Sequence, residues 1–232
     1  MCIRDRNTLK NKNLKALVTA GPTREYLDPV RYISNESSGE QGYEIALALS
    51  RLGVKTTLIT GPSNIVYQQD IKTKKIVTAE EMLKEVKKTL PVDIAICAAA
   101  VSDFKPFKKN RNKLKKKEND LRLIKLEKNK DILEYLGKNN KNRPKLVVGF
   151  AAETENLNKN ALSKLIEKNC DLIIANDISK ENIGFNSKFN RVSIINSNGD
   201  TMFIKKNRKS FIAQKIVEVV LKKLLVNDRN FN

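Results

Sequence analysis

The chain has 232 residues, of which 45 are Lys or Arg and 26 are Asp or Glu, so its net charge is +19 in the absence of any histidine. This length suits one domain, and the charge favours anionic partners, although part of it reflects lysines on solvated faces. The lack of histidine excludes the usual general base and the commonest metal ligand, and the three cysteines have no metal-site spacing.

The chain begins with a polar segment that we exclude from the fold. Residues 1–14 are interpreted as a disordered or artefactual leader, because Met1–Arg6 resembles a translated adapter and no apolar signal-peptide core follows. We expect the folded domain over residues 15–230. Cys97 and Cys170 lie in or beside apolar runs, which predicts buried thiols in a reducing cytoplasm. No apolar run approaches the ~20 residues of a membrane span, so no membrane partner is expected.

Short apolar runs alternate with helical patterns, which predicts a Rossmann-like, doubly wound, mostly parallel α/β sheet. The predicted strands are Ala16–Thr19, Thr56–Thr60, Asp93–Ala98, Leu146–Phe150 and Leu172–Ala175. The predicted helices are Gly42–Leu52, Ala79–Thr89, Ile132–Lys138, Leu157–Lys168 and Ser210–Leu225. Such sheets bind ligands outside the carboxyl ends of their strands, so the residues after each strand are the candidate site.

Two segments depart from this alternation. Val192–Ile195 and Met202–Ile204 flank Asn198-Gly199, which favours positive φ at both turn positions and predicts a C-terminal β-hairpin. Lys105–Lys117 carries eight cations in thirteen residues. This segment is too repulsive to pack, so we expect a mobile basic flap over residues 105–120 unless an anion neutralises it.

The residues after the first predicted strand are typical of an anion site. Ser37, Ser38 and Gly39 can cap the next helix, whose first N–H groups and dipole attract phosphate or carboxylate. Asn35 and the cation Arg31 lie just upstream. A polar loop capped by serine explains this segment equally well, so both interpretations stay open.

Small and polar residues follow the later strands. Ala99 and Ala100 admit a flat ring or simply permit tight packing, and Asp103 is placed to accept ribose hydroxyls or to hold a metal. Lys164 and Lys168 share one helix face, which in most proteins is only solvated. The remaining candidates are Asp131 at a helix start, Phe150 as a base-stacking or core residue, and the pair Asn176-Asp177. This set is suited to binding a polyphosphate and to catalysis by positioning and charge stabilisation.

Taken in order, six motifs resemble those of the phosphopantothenoylcysteine synthetase (phosphopantothenate–cysteine ligase) family, the ligase domain of the bacterial bifunctional coenzyme A biosynthesis protein. They are R-Y-I-S-N-E-S-S-G, A-A-V-S-D-F, K-L-K-K, K-N-K-D-I-L, G-F-A-A-E-T-E and A-N-D-I-S. The resemblance implies that CTP activates 4′-phosphopantothenate as an acyl-cytidylate with release of pyrophosphate. The amine of L-cysteine then displaces CMP. It also implies Mg²⁺ with the triphosphate and a homodimer with substrate near the subunit boundary.

The resemblance also implies roles for individual residues. Asn35 would contact the acyl-cytidylate, Arg31 would support its loop, and Lys113 would close over the triphosphate. Ser37 and Gly39 would meet phosphates, and Asp103 would face the ribose. The rest of the CTP pocket would comprise Ala99, Ala100, Lys130, Asp131, Ile132, Leu133, Phe150, Lys164 and Lys168.

Three residues depart from the family pattern. Glu36 stands where the family often has His or Arg, and Glu40 where it often has Lys, so that a carboxylate opposes an incoming phosphate. Lys130 replaces a common proline. Bacterial members are often fused behind a flavin-dependent decarboxylase, which is expected as a fused or separate partner. Its histidine and FMN site do not occur in this sequence, so no FMN is expected in this chain.

Two other functions compete with the ligase. An oxidoreductase on a similar sheet is disfavoured because no G-x-G-x-x-G motif occurs, and hydride transfer from NAD(P)H would identify it. A nucleic-acid-binding module is motivated by the charge of +19. Only Phe104 and Phe107 lie near the basic run, which is a poor stacking platform, so no nucleic-acid partner is expected. Salt-sensitive binding to random DNA without CTP turnover would favour that module.

Overall fold

A computed structural model describes residues 13–68, 71–115, 123–138, 141–153, 157–177 and 187–229. Its strands are β1 Lys15–Ala20, β2 Arg24–Tyr26, β3 Tyr32–Ser34, β4 Lys55–Thr60, β5 Lys72–Lys75, β6 Ile94–Cys97, β7 Phe104–Pro106, β8 Leu126–Lys128, β9 Leu146–Glu153, β10 Leu172–Asp177, β11 Phe189–Asn196 and β12 Thr201–Arg208. Its helices are α1 Glu40–Arg51, α2 Ala79–Thr89, α3 Ile132–Lys138, α4 Leu157–Lys168 and α5 Lys209–Arg229.

Eight strands form the central sheet in the order β12-β11-β10-β9-β6-β1-β4-β5. Strands β10, β9, β6, β1, β4 and β5 pair with their neighbours in parallel. Strand β11 pairs antiparallel with β10, and β12 pairs antiparallel with β11. Strand β1 lies between β4 and β6, so the strand order reverses beside it. The carboxyl ends of β1, β6, β9 and β10 therefore meet at one edge, where doubly wound sheets bind ligands.

Helices cover both faces of the sheet. One apolar cluster joins α1 and α5 to one face, through residues such as Leu49 and Ile216. The other joins α2, α3 and α4 to the opposite face, through residues such as Met82 and Leu136. Neighbouring residues of β1 belong to different clusters, because successive strand side chains point to opposite faces. The prediction of a doubly wound, mostly parallel sheet is confirmed.

The C-terminal hairpin forms as predicted, but its turn differs. Asn196 N–H donates to the Asp200 carbonyl (3.2 Å), and Gly199 N–H donates to the Asn196 carbonyl (3.1 Å). Within this turn only Gly199 has a positive φ, of 82°. The loop thus has three residues, ending in one left-handed glycine, and the prediction of positive φ at both Asn198 and Gly199 is wrong.

The basic segment is more ordered than its charge predicts. Lys105 lies in β7, which pairs with β8, and Lys105 Nζ lies 3.4 Å from Glu127 of that strand. Lys109 lies over the Tyr26 ring and Lys125 over the Phe107 ring, which stabilises two further cations. The expectation that this segment is too repulsive to pack is therefore wrong at Lys105 and Lys109. The mobility of the flap stays a prediction, and residues 116–120 lie outside the described residues.

The N-terminal boundary of the folded domain includes Leu14. This side chain is 3% exposed, and its carbonyl accepts a hydrogen bond from Lys55 N–H (2.9 Å). Residues 1–12 of the predicted leader lie outside the described residues. Among the helices that the structure describes, none is both long and apolar enough to cross a membrane.

Candidate active site

The loop after β1 brings its glycines close to the start of α1. Gly39 precedes the helix in the left-handed conformation, with φ 76°, and a Cβ atom there would lie 3.1 Å from the Gly21 backbone. Gly39 is the N-cap, and no side chain caps the helix from that position. Ser37 Oγ instead accepts from Gly39 N–H (3.2 Å) and Ser38 Oγ from Glu40 N–H (3.4 Å). Of the three residues predicted to cap this helix, Gly39 is therefore the N-cap, and Ser37 and Ser38 accept from the backbone beside it.

The carboxyl edge of the sheet contains a cleft of about 530 Å³. Loop residues before α1 form one wall, and the segment after β6 forms the other. Residues at the ends of β9 and β10 and the side chain of Lys164 close it. The predicted site residues that line it are Asn35, Ser37, Gly39, Ala99, Ala100, Asp103, Phe150 and Lys164.

A smaller cavity of about 130 Å³ adjoins this cleft. The two share Ala99, Asp103, Phe150 and Lys164. The smaller cavity adds four other predicted residues from the start of α3, namely Lys130, Asp131, Ile132 and Leu133. Twelve predicted residues from five separate segments are thus brought together at one edge.

Backbone hydrogen bonds fix the wall formed by the segment after β6. Ala98 N–H donates to the Thr19 carbonyl (3.1 Å) and Ala100 N–H to the Gly21 carbonyl (2.9 Å). Asn35 reaches this wall from the opposite side, because its Nδ2 donates to the Val101 carbonyl at 3.0 Å. The Asn35 amide is therefore held in one orientation across the cleft.

Lys164 and Lys168 lie on α4, but only Lys164 lines the cavities. Lys168 Nζ lies 3.4 Å from Asp131 and 3.4 Å from Glu134, and it donates to Glu167 at 2.7 Å. The hydrogen bond to Glu167 and the neighbouring carboxylates raise the Lys168 pKa above its usual range, against an opposing effect of burial. Lys168 therefore neutralises the carboxylates beside the cavity, including that of Asp131.

Arg31 and Lys113 lie outside both cavities. Arg31 Nη2 donates to the Leu114 carbonyl (2.6 Å) and pairs with Asp28 Oδ2 (3.0 Å). Asp28, which is 0% exposed, also accepts from the N–H groups of Val30 and Leu114. Lys113 is exposed. The structure thus places Arg31 as the anchor of the segment that carries Lys113.

The sequence interpretation missed three polar residues that line the larger cleft. They are Gln41 in the first turn of α1, Asn190 in β11 and Lys209 at the start of α5. Lys209 pairs with Glu40 at 3.1 Å. Nothing distinguishes Lys209 from the other basic residues, of which the sequence has 45 with Lys209 included, and only the packing of α5 against α1 brings it here.

The two described cysteines are not activated. Cys97 lines the smaller cavity, and burial raises its pKa far above the usual range. Burial likewise raises the pKa of Cys170 to about 12. Both are therefore thiols at neutral pH, and a thiol is a poor nucleophile compared with a thiolate.

Fold and cleft together define a Rossmann-like α/β domain whose ligand site is built from strand ends and a helix start. The family model of the DNA/pantothenate metabolism flavoprotein C-terminal domain matches residues 11–224, and the chain belongs to this family. The resemblance stated from the six motifs, to the ligase domain of the bacterial coenzyme A biosynthesis protein, is confirmed.

Curated relatives agree with this assignment. The chain is 40% identical over 213 residues to the coenzyme A biosynthesis bifunctional protein CoaBC of Escherichia coli K12, covering 90% of this chain and 52% of that protein. It is 41% identical over 211 residues to CoaBC of Borreliella burgdorferi, covering 90% of this chain and 53% of that protein. The chain thus spans about half the length of these relatives.

Solved structures share the architecture. The C-terminal domain of CoaBC matches with a TM-score of 0.76 and 34% identity, covering 91% of this chain and 95% of that one. A variant of Cab2 in complex with phosphopantothenate-cysteine matches with a TM-score of 0.68 and 18% identity, covering 98% and 94%. At this identity the Cab2 likeness shows the fold alone.

Proposed function

We propose that this chain joins 4′-phosphopantothenate to L-cysteine in coenzyme A biosynthesis, using CTP and forming an acyl-cytidylate. The observation that carries the proposal is the cleft with its adjoining cavity, which together gather twelve residues assigned by motif resemblance at the ligand-binding edge of the sheet. Relatives named for coenzyme A biosynthesis support it.

The nucleotide is proposed to bind across both cavities. Phe150 lies where both cavities meet and would stack on the base, and the exposed Asp103 carboxylate would accept the ribose hydroxyls. The triphosphate would extend towards Ser37 and Gly39, where the start of α1 favours anions. Lys113 would approach it from the anchored basic segment, and Lys164 would add positive charge from α4.

The chemistry follows from positioning and charge. A carboxylate oxygen of 4′-phosphopantothenate attacks the α-phosphorus, the new P–O bond forms, and the bond to the β-phosphate breaks to release pyrophosphate. The cysteine nitrogen then attacks the acyl carbon, loses a proton, and CMP leaves. Asn35 would orient the acyl-cytidylate, because its Nδ2 is fixed on the Val101 carbonyl and its amide faces the cleft. Preorganised donors of this kind stabilise developing charge.

Magnesium is proposed to enter with the triphosphate. Within the described residues no group of three or more histidine, cysteine or acidic side chains is placed to hold a metal ion. Phosphate oxygens together with water are the usual ligands of Mg²⁺ in nucleotide sites, and this arrangement needs no protein cage. Bound there, the ion would neutralise charge on the leaving pyrophosphate.

A homodimer is proposed through the arm formed by β7 and β8. Phe104, Phe107, Ile124 and Leu126 are between 44% and 57% exposed on this arm, which begins one residue after Asp103. An apolar surface beside the cleft fits a second copy that borders the substrate. Leu126→Lys is expected to shift the protein to a monomer in analytical ultracentrifugation, and an unchanged mass would contradict this interface.

The ligase proposal is tested by pyrophosphate release from CTP with 4′-phosphopantothenate, with and without L-cysteine. We expect release that requires phosphopantothenate, and CMP that forms when cysteine is added. ATP in place of CTP tests the nucleotide preference. A folded protein that releases no pyrophosphate would contradict the proposal.

The flavin-dependent decarboxylase remains a proposed partner, fused or separate, and a cytoplasmic location remains part of the proposal.

A further inference from the structure

An ion pair lies in the larger cleft at the start of two helices. Lys209 Nζ donates to Glu40 Oε2 at 3.1 Å, and the Lys209 side chain is only 5% exposed. Glu40 is the first residue of α1 and Lys209 the first residue of α5, and both line the cleft. The pair therefore brings a cation to the first turn of α1, the part of a helix that attracts phosphate.

Neighbouring polar groups fix this end of the cleft. Gln41 Nε2 donates to the Lys209 carbonyl (3.2 Å), and Asn190 Nδ2 donates to Gln41 Oε1 (3.3 Å). Asn190 is 3% exposed. Asn176, which lines the same cleft, has a buried Oδ1 without a hydrogen-bond partner in the described part of the chain. Side chains of α1 and β11 thus hold Lys209 in place at an end of the cleft that also contains an unpaired amide oxygen.

We propose that Lys209 binds a phosphate group of a substrate, and that Glu40 competes with that phosphate for the lysine. A phosphate carries a charge of about −1.5 to −2 at neutral pH and so attracts the ammonium more strongly than one carboxylate does. The ligase function proposed above, on which this inference rests, has two phosphate-bearing substrates. The phosphate comes either from the nucleotide or from the phosphorylated acid, and the chemistry of recognition is the same.

Glu40 explains why Lys209 is needed in this chain. Glu40 lines the cleft in the first turn of α1, where an anion would approach, and by itself its carboxylate repels that anion. Its ion pair with Lys209 neutralises this repulsion. The Glu40–Lys209 pair therefore sets the phosphate affinity of the cleft, with Lys209 as the attractive member and Glu40 as the opposing one.

An ion pair whose only role is to join α1 to α5 would affect the stability of the variants and not their affinity for substrate. Removing Glu40 alone leaves the charge of the buried Lys209 uncompensated, and removing Lys209 alone leaves the partly exposed Glu40 unpaired. Removing both members relieves that penalty. The double variant Glu40→Gln/Lys209→Met should therefore recover the stability that Lys209→Met loses. If Lys209 binds phosphate, the double variant recovers stability but not substrate affinity.

Steady-state kinetics of the full chain distinguish these patterns. We expect Lys209→Met and the double variant to raise the KM of one phosphate-bearing substrate about tenfold, the loss typical of one charge-assisted hydrogen bond. The KM of cysteine should stay unchanged, Lys209→Arg should restore part of the affinity, and Glu40→Gln should lower the same KM. The affected substrate, CTP or 4′-phosphopantothenate, identifies the source of the phosphate.

The control variant is Lys215→Met on the same helix, which removes a partly exposed pair with Glu218 (2.9 Å) outside the cleft. Calorimetric titration with inorganic tripolyphosphate adds a measurement that needs no turnover. Weaker tripolyphosphate binding by the double variant than by the wild type supports the phosphate site even if the protein forms no amide. The binding measurement therefore tests the phosphate site independently of the ligase function. The proposal is overturned if the double variant and the wild type have the same KM for CTP and the same KM for 4′-phosphopantothenate. If the protein shows no turnover, the proposal is overturned when the two proteins bind tripolyphosphate with equal affinity.

Discussion

Arg31 holds the backbone of Leu114, because its Nη2 donates to the Leu114 carbonyl at 2.6 Å. Asp28 completes the tether by accepting from Leu114 N–H at 3.2 Å while it pairs with the same guanidinium. The motif resemblance implies that Arg31 supports the Asn35 loop, and the structure adds that Arg31 also anchors the basic segment one residue after Lys113. A single guanidinium therefore joins the two segments proposed to act on the substrate.

Arg31→Lys is expected to lower kcat at least tenfold with little loss of stability. Lysine keeps the charge but cannot donate to Leu114 and pair with Asp28 in the planar geometry of a guanidinium. The basic segment would then be released while the sheet stays intact. Steady-state kinetics and thermal unfolding measure the two effects separately. Full activity in a folded Arg31→Lys protein would show that the tether is not needed for turnover.

The Asp28 tether is expected to weaken in acid. Burial raises the pKa of Asp28, but the N–H donors of Val30, Leu114 and Arg31 and the charge of Arg31 lower the pKa by more. A carboxyl group with a lowered folded-state pKa stabilises the fold above its unfolded pKa of about 3.9 and loses this contribution as pH falls through the folded value. Urea unfolding at several pH values should therefore show a steeper decline below about pH 4 in the wild type than in Asp28→Asn.

The control for this comparison is Glu80→Gln, on the exposed surface of α2. This variant removes a carboxylate without changing the tether, so its free energy of unfolding should decline below about pH 4 as steeply as that of the wild type. Identical slopes for Asp28→Asn and the wild type below pH 4 would contradict a folded-state pKa below the unfolded value.

Lys113→Gln is expected to lose most activity and to keep the fold. The side chain is exposed, so its removal leaves no cavity or unpaired buried group. Its proposed role is to meet the triphosphate from the anchored segment, and a neutral amide cannot supply that charge. Pyrophosphate release and thermal unfolding are the measurements. Lys108→Gln, another exposed lysine of the segment, is the matched control and should keep near-normal turnover.

Asn35→Asp is expected to bind CTP but to accumulate acyl-cytidylate. The amide Nδ2 that donates to the Val101 carbonyl (3.0 Å) is replaced by a carboxylate oxygen, which cannot donate and adds negative charge in the cleft. The proposed orientation of the acyl-cytidylate for attack by cysteine would then be lost. Quenched single-turnover reactions with labelled CTP measure the intermediate. Normal rates of amide formation would remove Asn35 from the proposed mechanism.

Much of the fold follows from local sequence patterns. The inner strands are continuous apolar runs because helices cover both faces, and the capping box of Thr78 and Glu81 accompanies a helix that begins as predicted at Ala79. The edge strand Lys72–Lys75 was missed because its lysines give no apolar run. An edge strand needs little burial, and its charges discourage pairing with other chains.

The candidate site was less predictable than the fold. Asn35 and Asp103 follow predicted strands and Phe150 is the last residue of one, so the topology rule places them at one edge. The pairing of Lys168 with Asp131 and Glu134 depends on how α4 packs against α3, which spacing along one helix does not reveal. The position of Lys209 likewise depends on the contact between α5 and α1, more than 160 residues apart in the chain.

Gly42→Ala is expected to destabilise the fold by about 1–3 kcal/mol, the usual cost of overpacking. A Cβ atom at Gly42 would lie 2.6 Å from Ala20 Cβ and 3.1 Å from the Thr19 carbonyl oxygen, so α1 would have to move away from β1. Because β1 and α1 position the cleft, the displacement should also weaken nucleotide binding. Ala20→Gly in the same chain removes the closest contact and should recover part of the stability, measured by urea unfolding. Ser50→Ala, on the same helix, is the control. A Gly42→Ala protein as stable as the wild type would show that α1 does not require this close approach.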